Sequence, residues 1–134
     1  MHLLLRVILC LSMSVLPSYL MAATYDGSVP FLCALGTVLE CTKNSECQRR
    51  TAEEINLPYF VRINTQQKII SLPHETGGIT PIERVEHLDG RLLLQGGEVG
   101  KGWSFVITEA TGNMSAAIVE DTGSFIIFGA CTTP

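Results

Sequence analysis

From residue 24 onward, short apolar stretches are separated by turn residues every eight to twelve positions, and β-branched and aromatic side chains are frequent between the turns. In the segment 103–108, a large side chain occupies every second position. Because successive side chains of a strand point to opposite faces, this alternation places Trp103, Phe105 and Ile107 on one face. The spacing predicts an antiparallel all-β domain.

Eight strands are predicted from these segments. They are residues 32–41, 59–64, 68–72, 79–88, 91–95, 103–108, 114–120 and 124–131. The segment 79–88 is also compatible with a helix, because residues 80–83 form a capping-box pattern with proline in the first turn. The Asp-Gly pair at 89–90 is a strong signal for a two-residue hairpin, so a strand is favoured. The glycine-rich residues 96–102 are expected to form a flexible loop.

One short helix is predicted after the first strand, where residues 51–54, Thr-Ala-Glu-Glu, have a capping-box signature and Pro58 ends the segment. Eight strands in sequence fit a mainly β fold, an eight-stranded antiparallel up-and-down barrel of lipocalin-like architecture, in which closure removes exposed edges. A two-sheet β-sandwich is the alternative. In either case residues 24–134 form a single domain.

The first 23 residues have the composition of a secretory signal peptide. An early cation, Arg6, precedes an apolar run of ten residues from Val7 to Leu16, and small residues follow at 22–23. A membrane-spanning helix needs about 20 apolar residues. We therefore expect residues 1–23 to be cleaved, which leaves no stable membrane anchor. The remaining residues 24–134, called the body below, are then expected in the periplasm or outside the cell. An uncleaved anchor is the alternative.

The charge of the body argues against two classes of partner. Removal of residues 1–23 also removes Arg6, which shifts the net charge from −4 to about −5. A protein this acidic has no electrostatic footprint for nucleic acid or for an anionic membrane surface.

The body keeps four cysteines, an even number that predicts two disulfides in an oxidising compartment, with three possible pairings. In a continuous strand, Cys33 and Cys41 lie about 26 Å apart, and a disulfide tolerates only about 7 Å between α-carbons. That pair is therefore disfavoured unless Gly36 folds the strand back. Cys41 and Cys47 flank a polar turn, which leaves Cys33 with Cys131.

Neither a metal site nor a cofactor site is predicted. The cysteines lack the close pairs of a zinc site. His74 and His87 lack a nearby histidine or cysteine partner, and a solvent-exposed position is expected for both. The Gly100-Lys101 pair lacks the remaining residues of a phosphate-binding loop.

Catalytic residues are not predicted either. The sharpest candidate is Asp121-Thr122-Gly123-Ser124, which resembles the catalytic segment of aspartic proteases. That chemistry needs a second carboxylate and a covering flap, and only ten residues follow Ser124. We interpret the segment as a hairpin turn. No serine occurs in a nucleophile-elbow motif.

Trp103 is the one side chain singled out as a candidate binding residue. It is the only tryptophan of the chain. A lone tryptophan in such a strand belongs more often to the core, and a place in a ligand cavity or protein contact is the alternative.

Several spaced motifs resemble those of a family of small, signal-bearing bacterial proteins of uncharacterised function. They are Leu57-Pro58-Tyr59-Phe60, Leu94-Gln95-Gly96, Gly102-Trp103 and Phe128-Gly129-Ala130-Cys131. The resemblance covers nearly all of residues 25–132. It implies export and a shared β-rich fold, and it supplies no activity, catalytic residue or ligand.

The leading hypothesis is an exported, non-enzymatic β-barrel that binds a small molecule or an envelope protein. The alternative is an inhibitor or accessory subunit of an exported enzyme, acting through the loops 73–78 or 96–102. A hydrolase is the least favoured, because no acid-base or nucleophile pair is apparent. A small-molecule binder should contain a mostly apolar cavity of at least roughly 300 Å³.

Overall fold

The structure is a computed structural model that describes residues 24–73 and 78–134. The predicted signal peptide, residues 1–23, and His74 lie outside the described residues. The described part of the chain is mainly β, with ten strands. These are β1 (Phe31–Thr42), β2 (Gln48–Arg50), β3 (Phe60–Asn64), β4 (Ile69–Ser71), β5 (Thr80–Pro81), β6 (Arg84–Leu88), β7 (Arg91–Glu98), β8 (Lys101–Thr108), β9 (Asn113–Val119) and β10 (Gly123–Thr132).

The strands form one antiparallel sheet that curls into a half-barrel. Nine strands follow one another in the order β5-β4-β3-β1-β10-β9-β8-β7-β6, and β2 pairs with the free part of β1. A β-sandwich requires two sheets, so that alternative is wrong. Among the described residues, no helix has the length and apolar character needed to cross a membrane.

The two outermost strands of this order, β5 and β6, are neighbours in the chain. Only Ile82 and Glu83 separate them. The backbone N–H of Ile82 donates to the carbonyl of Lys68 at 2.8 Å, and that of Glu83 donates to Gln95 at 2.9 Å. One short connection thus contacts both ends of the sheet. The predicted strand 79–88 is split here, which makes the continuous order nine strands rather than the eight predicted.

The core lies on the inner face of the curled sheet, and the alternation of side chains explains its composition. The most deeply buried side chains come from five strands and from the β5–β6 connection; they are Phe31, Cys33, Val38, Ile63, Ile82, Leu92, Leu94, Ile107 and Ile127. In β8, Phe105 and Ile107 are buried, as the period of two predicts.

A β-bulge at Gly36 changes which side chains of β1 face the core. Leu35 pairs with Gly129, and Thr37 pairs with Phe128, so Gly36 is the additional residue. Before the bulge the odd-numbered Leu35 is buried, and after it the even-numbered Val38 is buried. The bulge therefore keeps both halves of this twelve-residue strand in contact with the core.

The hairpin predicted at residues 89–90 is confirmed. Asp89 and Gly90 both have positive φ, 49° and 70°, and they join β6 to β7. Two successive residues with positive φ are characteristic of a type I′ turn, whose twist matches that of the paired strands.

The flexible loop predicted at 96–102 is wrong. Strand β7 continues to Glu98 and β8 begins at Lys101, so only Val99 and Gly100 form the turn. Gly96 pairs with Trp103, and Gly97 pairs with Gly102. Glycine has a low intrinsic preference for strands, but pairing with a large aromatic side chain compensates for it at Gly96.

The short helix predicted after the first strand is also wrong. The reciprocal capping-box bonds do form: the Thr51 N–H donates to Glu54 Oε2 at 2.7 Å, and the Glu54 N–H donates to Thr51 Oγ1 at 3.3 Å. They enclose only one 3₁₀ turn, Glu53–Ile55, because Asn56 adopts a left-handed conformation with φ 54°. A single turn has too few backbone hydrogen bonds to propagate a helix.

Candidate functional site

The inner face of the sheet lines a cavity of about 570 Å³ that is open to solvent on one side. Most of its wall is apolar, and the large side chains that form it include Leu35, Val61, Trp103, Phe105, Ile118 and Phe125. Charged side chains from β1, β7, β8 and the segments after β2 and β9 complete the lining; they are Glu40, Glu54, Glu98, Lys101 and Glu120. The cavity thus has an apolar wall and a group of charged side chains.

Strand register explains why these side chains meet. Trp103 of β8 pairs with Ile118 of β9, and Ile118 pairs with Phe125 of β10. Phe125 in turn pairs with Glu40 of β1. Four adjacent strands therefore present one row of side chains to the cavity. Glu98 of β7 lies opposite Lys101 of β8 in the strand register, two residues beyond the pair Gly96 and Trp103.

Trp103 occupies a position that only glycine across the strand pair permits. A β-carbon at Gly96 would lie 2.3 Å from Cζ2 and 2.7 Å from Cε2 of the indole. The other side of the ring packs edge-on against Phe105, with the ring centroids 5.6 Å apart and the planes at 87°. The indole is therefore fixed between β7 and its neighbour on β8.

The indole N–H of Trp103 has no hydrogen-bond partner among residues 24–73 and 78–134, although its Nε1 atom is buried. Leaving a buried donor unpaired costs about 1–3 kcal/mol. Such groups are rare in folded proteins and call for an explanation. Because less than 1 Å² of this nitrogen is accessible, a molecule in the cavity would reach it only if the indole moved.

The charged side chains of the cavity are partly paired. Arg50 Nε donates to Glu40 Oε2 at 2.8 Å. Lys101 Nζ lies 3.6 Å from Glu120 Oε2. Glu98 Oε2 accepts a hydrogen bond at 3.3 Å from the hydroxyl of Thr80, which carries no charge.

Glu54 is held in its ionised form by local hydrogen bonds. The backbone N–H of Thr51, and then its hydroxyl, lower the pKa of the Glu54 carboxyl from its ordinary value of 4.5. This carboxyl is solvent-exposed, so the lowered pKa reflects these donors rather than burial. Glu54 therefore contributes a negative charge to the cavity at neutral pH.

The cysteines of the body are joined in the pairing that the strand geometry favours. Cys33 and Cys131 pair across β1 and β10 in the core, with α-carbons 3.9 Å apart. Cys41 and Cys47 enclose the polar turn after β1, with α-carbons 4.1 Å apart. In the described part of the chain, no group of three or more His, Cys, Asp or Glu side chains could hold a metal ion.

The remaining sequence candidates lie apart from the cavity. His87 is exposed, and its Nδ1 is 2.7 Å from Glu109 Oε1. The segment 121–124 forms the hairpin turn between β9 and the start of β10, as predicted, and the Glu120 N–H donates to the carbonyl of Gly123 at 3.0 Å. Neither place is part of the cavity wall.

Sequence reasoning identified Trp103 but missed the charged residues beside it. Glu98 and Lys101 fell in the segment interpreted as a loop. The alternation that places Trp103 and Phe105 on one face extends back to Lys101, so it was the signal that could have found this residue.

Comparison of the chain with protein-family models, with curated proteins and with solved structures found no match. The cavity is therefore interpreted from its own geometry. An apolar concave wall with a few polar groups is the usual composition of sites for small molecules.

Proposed function

We propose that this protein binds a small, largely apolar molecule in the cavity on the inner face of its sheet, without catalysing a reaction. The observation that carries the proposal is the cavity itself. Its volume of about 570 Å³ falls within the range of roughly 300–1,000 Å³ that is typical of ligand sites.

We also infer that the half-barrel closes as an eight-stranded up-and-down barrel, with residues 79–88 acting as one bent strand. The first half of this segment pairs with β4 and the second half with β7. The hydrogen bonds of Ile82 and Glu83 support continuity between the two halves. A closed wall would surround a ligand on all sides except the open end.

Export to the periplasm or the cell exterior is part of the proposal. Two disulfides in a small domain fit an oxidising compartment. In that compartment the protein would carry or sequester its ligand.

A probe titration tests the cavity directly. N-phenyl-1-naphthylamine is an apolar dye that fluoresces when it leaves water. We expect saturable binding of the dye to the disulfide-bonded protein, with quenching of Trp103 emission by energy transfer, because Trp103 lines the cavity. No saturable dye fluorescence would contradict the proposed function.

Two neighbouring positions of β9 provide a matched pair of variants. Ile118 lines the cavity, whereas Val119 is 55% exposed and points away from it. Ile118→Phe fills part of the cavity and should weaken dye binding several-fold, whereas Val119→Phe should leave binding unchanged. Equal effects of the two substitutions would show that the dye binds elsewhere.

Contact with another exported protein is the second candidate function. Its supporting observation is the exposure of aromatic side chains on the outer face, with Phe60 and Phe128 each about half exposed. In affinity purification from the native envelope, Phe128→Asp should then abolish recovery of a partner without changing dye binding. Loss of the partner in the Ile118→Phe protein instead would favour the cavity.

The remaining alternative is an enzyme inhibitor or accessory subunit acting through the loops 73–78 or 96–102. Residues 74–77 of the first loop lie outside the described residues, and the second loop gives the alternative less support than the cavity gives a small-molecule site. That segment is a tight hairpin with only Val99 and Gly100 outside the strands. A two-residue turn offers little surface for insertion into another protein.

A further inference from the structure

We propose that the Cys41–Cys47 disulfide is a redox-sensitive restraint on one wall of the cavity, so that its reduction by a dithiol loosens this wall and speeds release of the ligand. This inference rests on the proposed function, because it concerns the regulation of the same cavity. Three observations carry it: the position of the disulfide at the end of a wall segment, the weak attachment of that segment to the sheet, and the difference in exposure between the two disulfides.

The wall segment is residues 48–58, called the strap below, which connects the disulfide to β3. It contains β2 and the single 3₁₀ turn Glu53–Ile55. Four residues of the strap line the cavity; they are Glu54, Ile55, Leu57 and Pro58. Movement of the strap would therefore change the wall of the cavity.

The disulfide holds the first end of the strap against β1. In the register of β1 and β2, Glu40 pairs with Gln48. Cys41 and Cys47 are the next residues of the two segments, and their α-carbons are 4.1 Å apart. The bond thus extends the β1–β2 pairing by one position and closes it at the polar turn.

The other attachments at this end of the strap are weak. Strand β2 pairs with β1 over three residues, and in the described part of the chain no second strand pairs with β2. An isolated two-stranded pairing is marginally stable at best in water. The ion pair between Arg50 and Glu40 is partly exposed, so it adds little. The position of β2 therefore depends on the disulfide.

The strap is also loosely packed. Several of its hydrogen bonds fold it on itself, such as that from the Leu57 N–H to the carbonyl of Ala52 at 2.9 Å. A second hollow, of about 560 Å³, lies between the strap and residues 35–37 of β1. The strap therefore borders a hollow at β1 as well as the cavity. Segments with few packed contacts open locally at a lower cost in free energy than the core.

Apolar contacts prevent complete release of the strap. Ala52 is buried, and Ile55 and Leu57 pack against the core. Where the strap ends, the Leu35 N–H donates to the carbonyl of Tyr59 at 2.8 Å. We therefore expect reduction of the disulfide to loosen the strap and to leave the domain folded.

The two disulfides differ in their accessibility to a reductant. Cys47 is exposed and Cys41 is half-buried, whereas Cys33 and Cys131 are both buried in the core. Thiol–disulfide exchange requires a thiolate to approach one of the bonded sulfur atoms. A reductant should therefore react with the Cys41–Cys47 bond and spare the other.

The reductant is a dithiol, the chemical class that includes Cys-x-x-Cys proteins. One thiolate of the dithiol attacks a sulfur of the Cys41–Cys47 bond and forms a mixed disulfide, and the other cysteine leaves as a thiolate. The second thiol of the reductant then breaks the mixed disulfide. Two electrons pass to the protein, which gains two thiols, and the dithiol becomes a disulfide.

Graded reduction with dithiothreitol, followed by alkylation and peptide mass mapping, tests the selectivity. We expect Cys41 and Cys47 to be alkylated at concentrations that leave Cys33 bonded to Cys131, with an unchanged far-UV circular dichroism spectrum. Reduction of the buried bond at the same or a lower concentration would overturn the inference, and so would loss of the spectrum when only the exposed bond is reduced.

The rate at which N-phenyl-1-naphthylamine leaves the protein tests the effect on the cavity. In stopped-flow dilution, the selectively reduced protein should release the dye about three- to tenfold faster than the oxidised protein. Loss of the whole chain-entropy contribution of this short loop corresponds to roughly 30-fold, and the apolar contacts of the strap retain part of it. Reoxidation should restore the slow rate. An unchanged rate after reduction would overturn the redox role and leave the cavity site intact.

The double variant Cys41→Ala/Cys47→Ala separates the exposed bond from other effects of the reductant. It should release the dye as fast as the reduced wild type and should not respond to dithiothreitol. Lys43→Ala/Glu46→Ala changes two exposed residues of the same turn but keeps the disulfide, so it should behave as the wild type. A response of the cysteine variant to the reductant would assign the effect to Cys33–Cys131 and overturn the inference.

Amide hydrogen exchange of the dye-free protein measures the strap without a ligand. Selective reduction should speed exchange of the β2 amides by about tenfold and leave β8 and β9 unchanged, because only the local opening becomes easier. Equal exchange of β2 in the oxidised and reduced protein would overturn the inference. Failure of the oxidised protein to bind the dye would instead overturn the proposed function, so the two failures are distinguishable.

Discussion

Single residues determine how the side chains of the cavity wall are placed, and Gly96 is the clearest case. Its α-hydrogens face the indole of Trp103, and an added β-carbon would lie only 2.3 Å from the ring. The carbonyl of Pro81 lies 3.0 Å away on the same side, so the backbone gives no room either. The ring has to move if this glycine is replaced.

Gly96→Ala should therefore destabilise the protein by about 1–3 kcal/mol, the usual cost of overpacking. It should also shift Trp103 emission to longer wavelength, because the displaced indole becomes more exposed to water. Urea unfolding and fluorescence spectra measure the two effects. Gly97→Ala is the control, since the nearest atom to its β-carbon would be 3.4 Å away. Equal loss of stability in both variants would contradict the proposed packing.

The hydroxyl of Thr51 adds to the effect of its backbone N–H in lowering the pKa of Glu54. Thr51→Val removes that hydroxyl but keeps the backbone N–H, so the pKa of Glu54 should rise partway toward 4.5. A group whose pKa is lowered by folding adds stability above its unfolded pKa and loses it as the pH falls through the folded value. The part of the stability difference that comes from the carboxylate should therefore be present at neutral pH and disappear in acid, whereas the part that comes from the Glu54 N–H bond to the hydroxyl should persist. NMR titration of Glu54 measures the shift, and an unchanged pKa would refute the role of the hydroxyl.

Among the strands and turns, the β7–β8 hairpin contains an unfavourable residue at its turn. Val99 has φ 36° and is 94% exposed. A β-branched residue therefore adopts a left-handed backbone conformation, and its side chain makes no packing contacts that would offset the cost. Asn-Gly is the preferred pair for a turn in which both residues have positive φ. Val99→Asn should stabilise the protein by about 1 kcal/mol.

Thermal unfolding measures this gain, and Val119→Asn is the matched control. Val119 is also exposed, but it lies within β9, where replacing a β-branched residue brings no conformational gain. An equal rise in melting temperature for both variants would point to a general solubility effect. A fall for Val99→Asn would contradict the assignment of strain to the turn.

Most of the strands could be predicted from the sequence because each combines alternating side chains with flanking turn residues. The predictions for β3 and β10 agree with the structure to within one residue at each end. The errors have local causes. Strand β2 has three residues, Gln-Arg-Arg, whose pairing with β1 follows from the disulfide turn rather than from any hydrophobic pattern. The helix predicted near Thr51 failed because Asn56 ends it after one turn.

The candidate site was less predictable than the strands, because a cavity depends on which strands are adjacent. Trp103 could be selected from the sequence because it is the only tryptophan of the chain. That Ile118 and Phe125 stand beside it follows only from the register of β8, β9 and β10. The orphan indole N–H depends on distances to every neighbouring acceptor, which no linear pattern contains.

For the molecule as a whole, the two disulfides differ greatly in the length of chain that they enclose. Cys33 and Cys131 are 98 residues apart and join the strands nearest the two ends of the domain, whereas Cys41 and Cys47 are six residues apart. In the chain-entropy model the stabilisation grows with the logarithm of loop length. The longer bond should therefore contribute about 4.7 kcal/mol, and the shorter one about 2 kcal/mol.

The double variants Cys33→Ala/Cys131→Ala and Cys41→Ala/Cys47→Ala test this difference in urea unfolding at 25 °C. The first should lose at least twice as much free energy of unfolding as the second, and more if the buried sulfur atoms leave a void in the core. Since small domains have only about 5–15 kcal/mol of stability, the first variant should be close to unfolding. A larger loss in the second variant would contradict the model, and non-reducing peptide mapping that joined Cys33 to Cys47 would overturn the pairing itself.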